Sequence, residues 1–173
     1  MDNFIPDIYQ KSIYDINYKN LKKRGIKCLL FDLDNTIVPL NVLEPDKKIK
    51  DLFSDIEDLG FKVILLSNAT RSRVEPFKEK LNLDSSCNSR KPFSKKYKKI
   101  MSIYNFKDNE IACIGDQLLT DVLGANRLGL LSILVNPISN TDLFVTKINR
   151  FFERKILKKL EKRGLLKIGE YYE

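Results

Sequence analysis

The sequence predicts an α/β protein with one doubly wound, parallel sheet. Three short apolar runs, at 29–31, 61–66 and 111–114, each stop at a polar or small residue, which is typical of buried parallel strands. Segments with helical spacing of apolar residues separate these runs, and this alternation favours right-handed crossovers and a parallel sheet. The 173 residues, of which 43% are hydrophobic, are enough for a single domain with a sizeable core.

The elements of the predicted core follow in the order strand 29–31, helix 46–59, strand 61–66, helix 71–81, helix 94–104, strand 111–114, helix 119–128 and strand 131–135. Pro45 before the first of these helices and Gly60 after it are typical start and stop signals. Residues 1–26 are predicted as an N-terminal arm with a short helix near its end. Residues 27–140 are the predicted core, and residues 141–173 a C-terminal helix that packs on the core or extends it.

The residue types present limit the chemistry of the chain. There is no histidine, which excludes Ser-His-Asp triads, Cys-His dyads and zinc sites with histidine ligands. The three cysteines form no C-x-x-C pair, and Cys28 and Cys113 lie in apolar runs, so we expect reduced core residues. No apolar run is long enough for a transmembrane helix, and the first residues lack a signal-peptide pattern, which predicts a cytoplasmic protein. Chemistry must therefore use carboxylates, lysine, hydroxyl groups and a hard cation.

Polar residues follow three predicted strands at their carboxyl ends, where open α/β sheets bind ligands. These residues are Asp32 and Asp34, Ser67 and Asn68, and Asp116 with Asp121 one turn further on. Lys91 precedes a helix on the same side of the sheet. The alternative for the two aspartates of the first strand is that they cap the next turn. For Ser67 and Asn68 the alternative is a plain strand ending. For Lys91 it is a surface lysine in water.

Together these residues are suited to phosphoryl transfer. Asp32 is predicted as the nucleophile toward phosphorus and Asp34 as the residue that handles protons. Mg²⁺ would be held by Asp32, the backbone carbonyl of Asp34 and Asp116. Phosphate oxygens would be bound by Ser67, the Asn68 backbone and Lys91. Asp121 is expected nearby, as a metal ligand through water or as the partner of Lys91.

The motifs resemble those of the haloacid dehalogenase (HAD) superfamily of phosphatases. The resemblance is carried by Asp32-Leu33-Asp34-Asn35-Thr36, Ser67, Lys91-Pro92 and Gly115-Asp116 with Asp121. It implies a three-layer Rossmann-like fold and Mg²⁺-dependent hydrolysis of phosphomonoesters through an aspartyl-phosphate on Asp32. It also implies that Asp34 is the acid and base, that Asp116 is a metal ligand, and that Asp121 supports the site from outside the metal ligands.

The chain is more narrowly similar to subfamily IIIA and to phosphatidylglycerophosphate phosphatase-like members. This similarity is carried by residues 1–26 and by the segment 146–150 with Glu153 and Arg154. Members that act on small metabolites usually carry a cap domain, and here the stretches after Thr36 and after Lys91 are too short for a substantial one. The site should therefore be open to a phosphate on a large carrier, such as a lipid, a protein, a nucleic acid end or a glycan.

The C-terminal helix bears on the choice of carrier. Its apolar residues recur every four positions, at Phe144, Ile148, Phe152, Ile156 and Leu160. Basic residues dominate the same segment, and a basic amphipathic helix suits an anionic membrane surface. The alternative is an ordinary helix packed on the sheet with its lysines in water. The net charge of +8 also suits nucleic acid, although no aromatic and basic stacking platform favours it.

The sequence thus predicts a phosphatase for phosphatidylglycerophosphate, cytoplasmic and peripheral to the inner face of the membrane. Two alternatives remain open at this point. One is a HAD phosphatase for a nucleic acid end or a phosphoprotein, and the other is a receiver-like module that accepts phosphate without turnover. The sequence predicts no oligomeric state.

Overall fold

The structure is a computed structural model that describes residues 2–139 and 144–173, and in the last helix it describes side chains from residue 148 onward. Its sheet has six strands in the order β1-β6-β5-β2-β3-β4, and every pair is parallel. The strands are β1 (Ile8–Gln10), β2 (Cys28–Phe31), β3 (Lys62–Leu66), β4 (Asp84–Ser86), β5 (Ile111–Gly115) and β6 (Leu131–Val135). The predicted doubly wound parallel sheet is confirmed.

The helices lie close to their predicted positions. They are α1 (Tyr18–Lys23), α2 (Lys47–Asp58), α3 (Arg71–Leu81), α4 (Lys95–Tyr104), α5 (Leu123–Asn126) and α6 (Phe144–Lys162). Asp46 caps α2, since its side chain accepts a hydrogen bond from the Ile49 amide at 2.8 Å. The predicted helix 119–128 is instead a π-helical turn, Leu118–Val122, that runs into the short α5.

Alternate residues of the central strands form a core on each face of the sheet. Phe31 of β2 packs against Phe53 of α2 with ring centroids 5.0 Å apart. The preceding residue of the strand, Leu30, points to the other face and belongs to a second core with Tyr97 of α4. Helices α2 and α3 thus cover one face and α4 the other, which gives the expected three layers.

The N-terminal segment is part of the sheet, whereas it was predicted as an arm. It contains the expected short helix, but residues 8–10 also form the edge strand β1 beside β6. Ile8 and Tyr9 are fully buried there. Tyr172 then pairs with the outer side of Tyr9 through two backbone hydrogen bonds of 2.9 Å, which covers the sheet edge.

Helix α6 is anchored by its C-terminal half. Leu160 is fully buried in a cluster with Tyr9 and Leu134, whereas Ile148 and Phe152 of the predicted apolar stripe are about half exposed. The side chains of 144–147, which carry part of that stripe and of the narrower resemblance, lie outside the described residues. The exposed apolar surface of α6 is therefore nearer its N-terminal half, not at its basic end.

Two further observations concern the surroundings of the sheet. The segments after Thr36 and after Lys91, both within the described residues, hold loops, α4 and β5 and no cap domain. None of the described helices is both long enough and apolar enough to cross a membrane.

Candidate active site

The candidate site lies at the carboxyl ends of three adjacent strands. Because β5, β2 and β3 are neighbours in the sheet, the residues that follow them meet at one edge. Asp32 follows β2, Ser67 follows β3 and Asp116 follows β5, and all three side chains are buried. The structure therefore places the predicted nucleophile, the hydroxyl predicted to bind phosphate and the predicted metal ligand at one edge of the sheet.

Lys91 connects two carboxylates of this site. Its ammonium nitrogen lies 2.7 Å from Oδ1 of Asp32 and 2.6 Å from Oδ1 of Asp121, and all three side chains are buried. Burial lowers the pKa of Lys91, but the two carboxylates outweigh it and raise that pKa above its ordinary value. Burial raises the pKa of Asp32 to about 6, and Lys91 limits the rise. A permanent positive charge thus stands beside the predicted nucleophile.

Gly115 makes room for Asp121. A Cβ atom on residue 115 would overlap Cγ of Asp121, so any larger residue would push that carboxylate away from Lys91. The second carboxylate oxygen of Asp121 accepts a hydrogen bond from the Gln117 amide at 3.2 Å, within the turn that opens the π-helical segment. Glycine is therefore needed at position 115 because a side chain there would collide with Asp121.

Asp116 is held from two directions. The hydroxyl of Thr36 donates to its Oδ1 at 3.0 Å. Arg150 of α6 donates to its Oδ2 and, at 2.9 Å, to its backbone carbonyl. Burial raises the pKa of Asp116 to about 8, although the guanidinium of Arg150 opposes this rise.

Three of these carboxylates form a buried acidic cluster that suits a divalent cation. One oxygen from each of Asp32, Asp116 and Asp121 lies within 4.8 Å of the other two. Buried carboxylates so close together repel one another, which a cation with oxygen ligands would relieve. Hard carboxylate oxygens are the ligands that Mg²⁺ prefers. The donor set therefore fits the predicted ion, with Asp121 as a third carboxylate beside Asp32 and Asp116.

Asp34 lies at the edge of the site and is bound by a residue that the sequence analysis did not single out. Arg73 of α3 donates from Nε to Oδ1 of Asp34 at 2.9 Å, and its Nη2 lies 2.8 Å from the same oxygen. The guanidinium also donates to the backbone carbonyls of Pro39 and Val42. Asp34 is thus fixed in position with one oxygen engaged by a cation.

Ser67 and Asn68 differ in their roles. The hydroxyl oxygen of the buried Ser67 accepts a hydrogen bond from the Ala69 amide at 3.1 Å, which orients the hydroxyl at the strand end. The side-chain oxygen of Asn68 accepts from Ser89 at 2.8 Å and from the Lys91 amide at 2.7 Å. Asn68 therefore holds the loop that carries Lys91, in addition to the backbone donor predicted for it.

Helix α6 contributes two charged residues to the site, Arg150 and Glu153. Their sequence positions alone predicted no role for them. Glu153 is buried and accepts from the Leu119 amide at 2.9 Å, while its other oxygen lies 3.0 Å from Nη1 of Arg150. Burial raises the pKa of Glu153, and Arg150 opposes this rise. The pair attaches α6 to the loop between β5 and α5, directly behind Asp116.

Comparisons with known proteins agree on one family. A family model described as "Mitochondrial PGP phosphatase" matches residues 1–139. The "Probable phosphatase YqeG" of Bacillus subtilis (strain 168) is 38% identical over 161 residues, which cover 93% of this chain and 94% of that protein. The "Phosphatidylglycerophosphate phosphatase 1, chloroplastic/mitochondrial" of Arabidopsis thaliana is 23% identical over 177 residues, and the match covers 93% of this chain but 49% of the plant protein.

Solved structures support the fold. A putative HAD superfamily (subfamily III A) hydrolase from Legionella pneumophila aligns with a TM-score of 0.52 at 22% identity, over 70% of this chain and 73% of that one. The cobalt-bound deoxy-D-mannose-octulosonate 8-phosphate phosphatase (YrbI) from Haemophilus influenzae aligns with a TM-score of 0.52 at 14% identity, over 80% and 94% of the two chains. At these identities the likeness concerns the fold alone.

Proposed function

The chain belongs to the family described as "Mitochondrial PGP phosphatase", within the HAD superfamily of phosphatases, and from this premise we propose that it hydrolyses phosphatidylglycerophosphate with the help of Mg²⁺. The observation that carries the proposal is the buried contact of Lys91 with Asp32 and Asp121, beside the acidic cluster. This arrangement supplies a nucleophile, a fixed cation and a set of metal ligands at one point. The family membership also favours turnover over the receiver-like alternative.

In the first step, a carboxylate oxygen of Asp32 attacks phosphorus, and the bond between phosphorus and the alcohol oxygen breaks. Asp34 gives a proton to that departing oxygen, and the phosphoryl group remains on Asp32 as an acyl phosphate. Lys91, Ser67 and the Asn68 amide bind its oxygens.

In the second step, water attacks the same phosphorus while Asp34 takes a proton from it. Inorganic phosphate leaves, and Asp32 is restored as a carboxylate. Arg73 holds Asp34 in position for both roles, since its Nη2 lies 2.8 Å from one of the carboxylate oxygens.

Mg²⁺, when bound, would neutralise charge on the phosphate and on the carboxylates. Asp32 and Asp116 would hold it, with Asp121 close enough to ligate it directly or through water. Arg150, which now donates to Asp116, would share that carboxylate with the ion.

The surroundings of the site support a lipid carrier. No cap domain stands over the described strand ends, so a phosphate on a large carrier can reach Asp32. Phe151 and Phe152 on α6 are each about half exposed, and Lys155 lies against Phe151. Exposed aromatic rings beside basic residues are suited to the surface of an anionic membrane.

A substrate screen tests the proposal. The protein is assayed with Mg²⁺ on phosphatidylglycerophosphate in mixed micelles, on p-nitrophenyl phosphate, on a 5′-phosphorylated oligonucleotide and on a phosphopeptide. We expect the lipid to give the highest kcat/KM, and chelation to stop every reaction. Hydrolysis of p-nitrophenyl phosphate together with preference for the oligonucleotide or the phosphopeptide would overturn the lipid assignment but keep the chemistry.

A further inference from the structure

A cavity opens directly beside the candidate active site. It has a volume of about 400 Å³ and lies between the carboxyl end of β6 and helix α6. Asp116, one of the three carboxylates of the acidic cluster, forms part of its wall. Of the lining, the phosphoryl chemistry described above involves Asp116 and its partner Arg150. The remaining space is therefore available to whatever the phosphate is attached to.

The walls of the cavity are of two kinds. Leu118, Leu134 and Leu157 form an apolar part, and Ile168 closes it from the segment after α6. The polar part is formed by two arginines of α6, one turn apart, with Asn136 and with Glu153, whose carboxylate is paired with Arg150. An occupant that fits must therefore combine an anionic group with apolar atoms.

The two arginines differ in what they bind. Arg150 donates to Asp116 and lies 3.0 Å from Glu153, so its charge is already engaged by carboxylates. Arg154 lines the same cavity but makes no ion pair and no hydrogen bond with any residue that the structure describes. Its charge is thus available to an anion that enters the cavity.

We propose that this cavity holds the part of the substrate beyond the scissile bond, with the phosphodiester of the lipid head group bound by Arg154. The proposal rests on the proposed function and specifies it. Phosphatidylglycerophosphate carries its phosphomonoester on one end of a glycerol and a phosphodiester on the other. With the monoester at Asp32, the glycerol passes Asp116 and the phosphodiester reaches the arginine, while the first lipid carbons lie along the apolar wall.

The recognition is electrostatic and specific for a substrate with two phosphates. A charge-assisted hydrogen bond from a guanidinium to a phosphate oxygen is among the stronger polar contacts in proteins. A phosphomonoester without a second anionic group gains nothing from Arg154. The residue should therefore affect the choice of substrate and leave the chemical step alone.

The test compares Arg154→Gln with Arg127→Gln, which changes an exposed arginine that is not part of the cavity. The substrates are p-nitrophenyl phosphate and a short-chain phosphatidylglycerophosphate dispersed as monomers, so that membrane binding plays no part. We expect Arg154→Gln to lower kcat/KM for the short-chain lipid by about tenfold or more and to leave p-nitrophenyl phosphate unchanged. Arg127→Gln should change neither.

An inhibition experiment separates the phosphodiester from free phosphate. Short-chain phosphatidylglycerol keeps the phosphodiester and lacks the monoester, so it should inhibit hydrolysis of p-nitrophenyl phosphate by the wild type and do so more weakly with Arg154→Gln. Inhibition by inorganic phosphate should be the same for both proteins, because that anion binds at Asp32.

The outcomes distinguish this proposal from the proposed function. If the wild type hydrolyses the short-chain lipid and Arg154→Gln does so equally well, the cavity assignment is wrong and the function stands. An equal loss on both substrates would mean that Arg154 acts on the centre itself, which also overturns the assignment. If the wild type hydrolyses only p-nitrophenyl phosphate, the lipid substrate and the cavity proposal fall together.

Discussion

Arg73 binds Asp34 through two nitrogens that converge on one carboxylate oxygen, at 2.9 Å from Nε and 2.8 Å from Nη2. The contact joins the end of β2 to helix α3, across 39 residues of sequence. It holds in place the carboxylate that we assign to proton transfer, which lies two residues after the predicted nucleophile Asp32. Two nitrogens of a rigid guanidinium on one oxygen restrict the rotation of the Asp34 side chain, which keeps the carboxylate in one orientation.

The first prediction concerns Asp34. Asp34→Asn should keep the attack of Asp32 on p-nitrophenyl phosphate, since p-nitrophenolate leaves without a proton, but should slow the attack of water. Rapid mixing should then show a burst of about one p-nitrophenolate per protein, followed by turnover reduced by roughly 10²- to 10⁴-fold. Steady turnover at the wild-type rate with no burst would contradict the assigned role.

The second prediction concerns Gly115. Gly115→Ala places a methyl group where Cγ of Asp121 lies, so the carboxylate must leave Lys91 or the strand must shift. We expect a loss of about 1–3 kcal/mol in the free energy of unfolding, measured by chemical denaturation, together with lower activity. A protein with unchanged stability and activity would show that Asp121 does not need its present position.

The third prediction concerns the metal. Because three buried carboxylates meet within 4.8 Å, Mg²⁺ should stabilise the folded protein. At a hundredfold excess over Kd this amounts to about 2.7 kcal/mol, or roughly 5–10 °C in Tm. Asp116→Ala should abolish the shift, whereas Asp51→Ala, which removes an exposed carboxylate of α2, should retain it. Ca²⁺ should bind and inhibit, since it prefers more ligands and a looser geometry.

The metal assignment has a clear contrary result. If thermal unfolding is unaffected by Mg²⁺ in both the wild type and Asp116→Ala, and activity survives exhaustive chelation, the acidic cluster is not a magnesium site.

The fourth prediction concerns the membrane. The double substitution of Phe151 and Phe152 by serine should weaken binding to vesicles that contain anionic lipid. Reversing the charges of Lys155, Lys158, Lys159, Lys162 and Arg163 should weaken it as well, by roughly 1 kcal/mol per residue near the surface. Wild-type binding should fade as salt increases. Co-sedimentation with vesicles measures each effect.

Activity assays separate docking from chemistry in these variants. Both sets should lose activity on phosphatidylglycerophosphate in vesicles and keep activity on p-nitrophenyl phosphate, because the aspartates are untouched. A parallel loss on both substrates would mean that α6 serves the fold, and no loss on either would exclude it as the membrane contact.

The central sheet and the centre of the site could be predicted because their signals are local in sequence. Asp32 and Asp116 each follow a run of buried apolar residues, and a carboxylate at the end of such a run marks the edge of a parallel sheet. The strands β1 and β4 were missed because each has only three residues, too few for a periodicity to appear.

The supporting arginines could not be predicted because their partners are distant in sequence. Arg73 lies 39 residues from Asp34, and Arg150 lies 34 residues from Asp116. From sequence alone, an arginine on a helix surface is expected to lie in water. Only tertiary packing places a distant carboxylate beside it. For the same reason, the burial of the apolar stripe of α6 at Leu160 and its exposure at Phe152 could not be predicted from its spacing.

The most direct test of the account is the activity of Asp32→Asn. The amide and the carboxylate are nearly the same shape, so the variant should still fold and unfold cooperatively. Only the nucleophile is lost. We expect turnover of p-nitrophenyl phosphate and of phosphatidylglycerophosphate to fall by a factor on the order of 10³ or more. Substantial Mg²⁺-dependent turnover of either substrate by a clean preparation of this variant would contradict a covalent mechanism on Asp32.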